Sequence, residues 1–502
     1  MSKEVELKLA LAPQALPALR SNPLIAEAPL EGANGILLNT YFDTPGLELR
    51  ARKIAVRMRK DGENWIQTVK CAAASLGGLA SRPEWEQPSD GEHFDFSQID
   101  AAEVRSALES VKKRLAPIFT TTFARSTRRL TPKPGVVILA MIDEGSIEAG
   151  GRSSPLCELE LELVSGDPRE LYALALQLAE QLPLHPEDAS KAQRGYELHQ
   201  NIKPSPRRAR HVALDPKMPA HEAFLTLAYE TLAMWQANEN LALRLDDPEF
   251  VHQARVALRR FRTLISLFRD ALPKPLRSRY SALFKALADS LGGARDADVV
   301  LSTLLLPITT TCKVGDDLNR LVRTLELHRD DQRKKLRSKE SAAERGRAQL
   351  ELAATLHSLP DADAGSISKL ARRAMRRVHK KALACLAAAD AGDAAQLHQL
   401  RIVLKRLRYG LDFFSALWAP NAVQAYARAL ATLQDGLGDI NDAAMGNRLL
   451  AEVSGDDPGL AAARAFTAGW HAPRIAQLRA KALADAKTLL TSETPWKNKK
   501  EK

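Results

Sequence analysis

Along residues 1–200, apolar and charged positions alternate. Glu4-Val5-Glu6-Leu7-Lys8-Leu9, Ala55-Val56-Arg57-Met58-Arg59 and Glu158-Leu159-Glu160-Leu161-Glu162 change character at every step. A period of two puts the two sets on opposite faces of a strand. Further strands are predicted over Ile36–Phe42, Asn64–Lys70, Arg82–Glu86, Phe119–Arg129 and Val136–Asp143, with turn signals at Asp61-Gly62 and Pro134-Gly135. Helices are predicted near Ala101–Ala116 and Pro168–Leu182. The polar faces carry rows of carboxylates in some strands and rows of Arg and Lys in others. On an open sheet such rows face water, whereas in a closed barrel they line a charged interior; alternation leaves both open.

After a stretch rich in Pro and Arg (204–219), the period changes to 3.6. Glu222–Leu245, Pro248–Ala271 and Lys369–Ala389 read as amphipathic helices. An internal repeat organises this half. The block from Phe250 to Arg262, containing His252, Arg255 and Arg259, recurs from Gln396 to Arg408, containing His398, Arg401 and Lys405. The block Leu287–Asp298 recurs as Leu433–Ala444, at the same offset of 146 residues. Two blocks at one offset indicate a duplicated helical bundle.

Charge sharpens this division. Residues 1–200 hold 23 Lys and Arg against 28 Asp and Glu, so they carry −5 and the remainder +16, for the chain's net +11. A basic second half points to an anionic partner. The four cysteines (Cys71, Cys157, Cys312, Cys385) form no CxxC pair, which argues against a zinc site or a disulfide framework. The residues after Met1 lack the apolar stretch of a signal peptide, and the longest apolar run, Val136 to Ile142, is too short to span a bilayer. The expected location is cytoplasmic, with no membrane partner.

Candidate chemistry lies in the charged rows. Glu4, Glu6 and Lys8 share one strand face, and Glu158, Glu160 and Glu162 another. Clustered carboxylates repel one another unless a hard divalent cation such as Mg²⁺ or Mn²⁺ joins them. Arg57 and Arg59 share a face, Lys70 ends the next strand, and Arg82, Arg125 and Lys191 are further cations suited to phosphate oxygens. No GxxxxGK[ST] phosphate loop is present.

Glu4-Val5-Glu6-Leu7-Lys8 resembles the ExExK signature of the CYTH superfamily, the triphosphate tunnel metalloenzymes. The resemblance continues in order through Tyr41-Phe42-Asp43-Thr44, Arg57 and Arg59, Lys70, Glu84 and Glu86, Asp143, the Glu158–Glu162 row and Ser190-Lys191. It implies an α+β multidomain chain that opens with an eight-stranded antiparallel β-barrel over 1–203. In that tunnel, Lys8, Arg57, Arg59, Lys70, Arg82, Arg125 and Lys191 would bind inorganic triphosphate. Glu4, Glu6, Asp143, Glu158, Glu160 and Glu162 would hold Mg²⁺ or Mn²⁺. Water would be activated by carboxylates working with the metal or by a Lys8–Tyr41 pair, and both remain open. Nucleoside or thiamine triphosphates, or adenylate cyclisation, are alternatives on the same fold; a non-catalytic anion-binding module is another.

In the second half, His252, Arg255, Arg259 and Arg262 follow i, i+3, i+7, i+10 on one helix face, as do His398, Arg401, Lys405 and Arg408. Asp296, Asp298, Asn441 and Asp442 could compensate the charge internally; otherwise an external anion must. This pattern resembles the CHAD domain. The resemblance implies an all-α domain of two pseudo-symmetric four-helix bundles over 220–490 that binds polyphosphate, and an association with polyphosphate granules. The spacing alone does not separate polyphosphate from nucleic acid, but the stripes lack interleaved aromatic residues, which argues against single-stranded nucleic acid. Residues 491–502 form a basic tail.

Overall fold

The computed structural model describes residues 2–32, 34–71, 75–313, 315–361, 365–390 and 394–497; residues 498–502 of the expected basic tail lie outside the described residues. Two compact units result, Met1–Ser205 with Lys339–Leu359, and Pro206–Ser338 with Pro360–Lys502.

The first unit holds ten antiparallel strands: β1 (Ser2–Ala10), β2 (Gly35–Asp43), β3 (Ile54–Asp61), β4 (Asn64–Cys71), β5 (Ser75–Leu76), β6 (Leu79–Ser89), β7 (Ala116–Leu130), β8 (Val137–Ala149), β9 (Arg152–Ser165) and β10 (His185–Pro186). Eight of them run β1-β9-β8-β7-β2-β3-β4-β6, with the two-residue β5 and β10 attached to β6 and β1. The sheet closes because β1 pairs on both sides, Lys8 opposite Glu160 of β9 and Glu4 opposite Arg82 of β6. The alternation therefore resolves as a barrel with a charged interior.

The apolar positions of the same strands face outward into their own cover. Leu7, Leu9 and Val56 are fully buried, and full burial of such a side chain contributes about 1.5–3 kcal/mol. Ile54, Val56 and Val69 pack against Phe96, Ile99, Leu108 and Val111, supplied by helix Ala102–Val111 and the loop before it. Inside, one end of the barrel is apolar, with Leu37, Tyr41, Phe119, Phe123 and Leu156 packed against Tyr196 of helix Lys191–His199. That helix can seat because residue 195 is glycine; a Cβ there would lie 2.1 Å from the Phe119 ring. Its N-cap, Ser190, accepts a hydrogen bond from the Gln193 N–H at 3.1 Å.

One helix from the 220–490 stretch, Lys339–His357, packs within this first unit. It lies against helix Arg169–Leu178 and β10, with the His357 and Tyr172 rings 5.9 Å apart.

The second unit repeats four long elements. Helices Ala220–Ala242, Pro248–Leu267, Lys274–Ser290 and Asp316–Leu336 are followed by Ile367–Asp390, Ala394–Phe413, Pro420–Ser454 and Pro458–Thr491. Both ends of Pro248–Leu267 recur at the 146-residue offset in Ala394–Phe413. The third element differs between the copies: Pro420–Ser454 is unbroken, whereas its counterpart is interrupted at Leu291 and by a π-turn over Val300–Leu305 just before Pro307. Proline lacks the N–H and crowds the preceding turn, which accounts for the irregularity at that point. Among the described residues, no helix is long and apolar enough to cross a membrane.

Candidate functional site

Neighbouring strands bring the charged rows together inside the barrel. Cross-strand partners place Lys70 opposite Glu84, Thr68 opposite Glu86, Arg125 opposite Asp143, and Asp143 opposite Glu158. Each base consequently meets an acid. Lys8 Nζ lies 3.6 Å from Glu6 and 3.5 Å from Glu160. Arg82 donates to Glu4 at 3.0 Å and to Glu6 at 2.5 Å. Lys70 contacts Glu4 at 3.1 Å and Glu84 at 2.9 Å. Arg57 and Arg59 both reach Glu86, at 3.4 and 3.2 Å, and Thr68 Oγ1 donates to the same carboxylate at 2.9 Å.

The tightest group sits where β8, β9 and helix Lys191–His199 converge. Arg125 forks onto Asp143 at 2.7 and 2.6 Å and reaches Glu160 at 2.8 Å. Lys191 Nζ touches Asp143 at 2.7 Å, Glu160 at 2.9 Å, and Glu158. Asp143, Glu158 and Glu160 are buried and each offers an oxygen within 4.8 Å of the others. Glu158 Oε2 accepts no hydrogen bond. Clustered hard oxygen donors, one of them with no hydrogen bond and only Arg194 Nη1 at 3.6 Å, fit a divalent cation of the Mg²⁺ or Mn²⁺ type.

Burial raises carboxyl pKa values, and the neighbours decide the outcome. Burial pushes Glu158 up, and it stays raised despite Lys191 and Lys8. Glu160, equally buried, is held well below the usual range because Lys191, Lys8 and Arg125 outweigh desolvation. Burial and the nearby Glu4 carboxylate raise Glu162. Lys8 and Lys191 lie above the usual lysine value, since surrounding carboxylates overcome burial. Across the tunnel, burial and the facing Glu4 raise Glu84 to about 8, while Lys70 and Arg82 overcome the burial of Glu4 and lower it to about 2. The two carboxylates are in contact and share one proton, which rests on Glu84.

The structure thus gathers Glu4, Glu6, Lys8, Arg57, Arg59, Lys70, Arg82, Arg125, Asp143, Glu158, Glu160 and Lys191 into one lining, with Glu162 beside Glu6 in register. Tyr41 stacks on Phe119 at 4.4 Å and pairs in register with Arg57, while Lys8 is held between Glu6 and Glu160. Three contributors carried no assigned role in the sequence reading: Glu84, Glu86 and Arg194, the last 3.6 Å from Glu158. Alternation on β6 was the available signal for the two glutamates.

In the second unit, helices Pro248–Leu267 and Ala394–Phe413 pack together and bring the basic stripes close. Arg255 is 3.7 Å from Asp296. The corresponding Arg401 has Asp442 as its strongest acidic neighbour. Arg255 Nη1, Arg259 Nε and Arg401 Nε are buried without hydrogen-bond partners. Burial, then Arg259 and Arg401, lowers Lys405 to about 7, and burial with Arg295 lowers His252 to about 4. Arg262 acts on Arg406, His398 is exposed, and Arg408 donates to Gln434 at 3.2 Å. The two aspartates therefore leave the four-residue centre, Arg255, Arg259, Arg401 and Lys405, short of negative charge.

Comparison with known proteins matches two stretches of the chain to two families. The CYTH domain family matches residues 2–196 and the CHAD domain family residues 226–451. An inorganic triphosphatase of Haemophilus influenzae is 34% identical over 200 residues, or 39% of this chain; the chain spans only 55% of that relative's length. Among solved structures, the CHAD domain of the plant Ricinus communis is 31% identical, with a TM-score of 0.49, over 58% of this chain and 98% of that one. A putative adenylyl cyclase from Hippeastrum with a dominant triphosphatase activity is 20% identical, with a TM-score of 0.29, over 39% of this chain and 95% of that one.

Proposed function

From a chain that joins a CYTH domain to a CHAD domain, we infer a metal-dependent inorganic triphosphatase whose helical half binds polyphosphate. The lining of the closed barrel supports this reading most. Lys8, Arg57, Arg59, Lys70, Arg82, Arg125 and Lys191 belong to this one lining, each already fixed by a carboxylate.

Cations oriented before substrate arrives need no reorganisation when charge develops on the phosphates, which is the main source of electrostatic catalysis. Asp143, Glu158 and Glu160 would hold the metal, with Glu4, Glu6 and Glu162 on the adjoining strands. Bound there, a divalent cation would offset phosphate charge and polarise the terminal phosphorus. Triphosphate would take Arg57 and Arg59 from Glu86, and Lys70 and Arg82 from Glu4. Lys8, with its raised pKa, stays protonated and serves as a positive charge at the phosphates rather than as a base. Water would form the new bond to the terminal phosphorus as the bridging P–O bond breaks with its electron pair on the pyrophosphate oxygen, and the water's proton would leave with the products, pyrophosphate and phosphate.

The unpartnered nitrogens of Arg255, Arg259 and Arg401 support the second half of the reading. Part-buried cations with too few acids are satisfied by the oxygens of a polyanion. The test is phosphate release from tripolyphosphate with Mg²⁺ or Mn²⁺, with ATP in parallel. Release from tripolyphosphate in preference to ATP is expected, and silence with both metals would leave only an anion-binding protein.

A further inference from the structure

We propose that Gly346 is a positioning residue for the tunnel. Its helix, Lys339–His357, braces residues 184–191 and so holds Lys8 and Lys191 in place. The activity part of this proposal rests on the triphosphatase reading; the structural part does not.

The seat of the helix is tight at one point. A Cβ on Gly346 would lie 2.1 Å from the Leu184 carbonyl oxygen and 3.1 Å from His185 Nδ1. No real side chain tolerates the first distance, and the obstacle is backbone, which cannot rotate away. Residues directly after this contact reach the tunnel. His185 and Pro186 pair with Ala10 and Leu9 of β1. The Glu187 N–H donates to the Lys8 carbonyl at 2.9 Å, and the Lys8 N–H donates to the Gly78 carbonyl at 2.9 Å. Asp188 Oδ1 accepts from Ser75 Oγ at 2.7 Å and from Gly78 N–H at 2.9 Å. Ser190 caps the next helix, and Lys191 places its ammonium among Asp143, Glu158 and Glu160.

Between Leu184 and Ser190 the chain has only the two strand residues of β10. Short irregular backbone opens locally at low cost unless something packs on it. Gly346 packs on its first residue. The brace is also covalently remote from the barrel, because the chain enters it from Ser338 and leaves it at Pro360, both in the second unit.

The test uses full-length protein: wild type, Gly346→Ala, Gly346→Val, and Leu321→Ala as a control buried in the core of the second unit. Hydrogen exchange is followed over 184–191 and 339–357, together with kcat and KM for tripolyphosphate. Both Gly346 variants should exchange at least about tenfold faster over 186–190. They should also lose about tenfold or more in kcat with a smaller change in KM, because displaced catalytic charges act most on the transition state. Leu321→Ala should leave both readouts at wild-type values. Wild-type exchange over 186–190 in Gly346→Val overturns the proposal, whether or not the helix itself loosens. Faster exchange with unchanged kcat overturns the positioning role. If wild type does not hydrolyse tripolyphosphate, the functional reading fails while the exchange result still decides the brace.

Discussion

The ammonium of Lys191 and the carboxylate of Asp143 are 2.7 Å apart, and Glu158 and Glu160 close the same ammonium from its other sides. Removing it leaves three buried carboxylates short of one positive charge. Lys191→Gln should lower stability by about 3–5 kcal/mol, the usual cost of stripping one partner from a buried ion pair. A divalent cation in the same donor set should restore part of that loss. Thermal melts with EDTA and with Mg²⁺ or Mn²⁺ measure it, and a larger metal-induced rise in Tm is expected for the variant than for wild type.

Glu6, two residues before Lys8 on β1, and Glu160, opposite it on β9, both contact Lys8. Glu160→Gln and Glu6→Gln keep the shape and remove the charge. Each should reduce tripolyphosphate turnover by about a hundredfold or more, as loss of a preorganised electrostatic group does. Steady-state phosphate release checks this, with circular dichroism to confirm the barrel.

Glu84 predicts a pH dependence of stability. Its folded pKa is raised, so the folded protein keeps a proton that the unfolded chain has released. Stability from this group is therefore present below the ordinary carboxyl range and lost as pH rises to about 8. The slope is at most about 1.4 kcal/mol per pH unit. Glu84→Gln mimics the protonated form. Between pH 5.5 and 7.5 its Tm should fall less than that of wild type, and parallel curves would remove Glu84 from the account.

Lys405 makes the equivalent prediction for the helical half. Burial and its arginine neighbours hold it near 7 without an anion, and a bound polyphosphate would raise it. Binding should then take up a proton above pH 7, so affinity should rise as pH falls from 9 to 7. Calorimetry in two buffers of different ionisation enthalpy detects the uptake, and Lys405→Arg should abolish it. Arg259→Ala with Arg401→Ala should weaken binding about tenfold or more and flatten its salt dependence, leaving tripolyphosphate hydrolysis unchanged.

How much of this was legible follows from what each pattern encodes. Period two in Glu4–Leu9 and Glu158–Glu162 located the lining rows, because side-chain direction in a strand depends only on position. Closure was not legible, since an open sheet alternates in the same way; it needed β1 to pair with both β6 and β9. The offset of 146 residues revealed the helical duplication directly. The place of Lys339–His357 stayed hidden because its composition matches its helical neighbours. Only Gly346 marks it, and a lone helical glycine says nothing about which backbone it approaches. The partners of Arg82 were hidden too: the residue read as a phosphate ligand, and it is tied here to Glu4 and Glu6.

That β1 completes the barrel sets an order of events during synthesis. On the ribosome, β1 can pair with β6 only once residues 79–84 have emerged, and with β9 only after residues 158–162. Until then Glu4, Glu6 and Lys8 remain hydrated at a free edge. The β1–β9 seam and the ion pairs across it can form only late, so the nascent chain has no sealed interior until nearly the whole domain has been made.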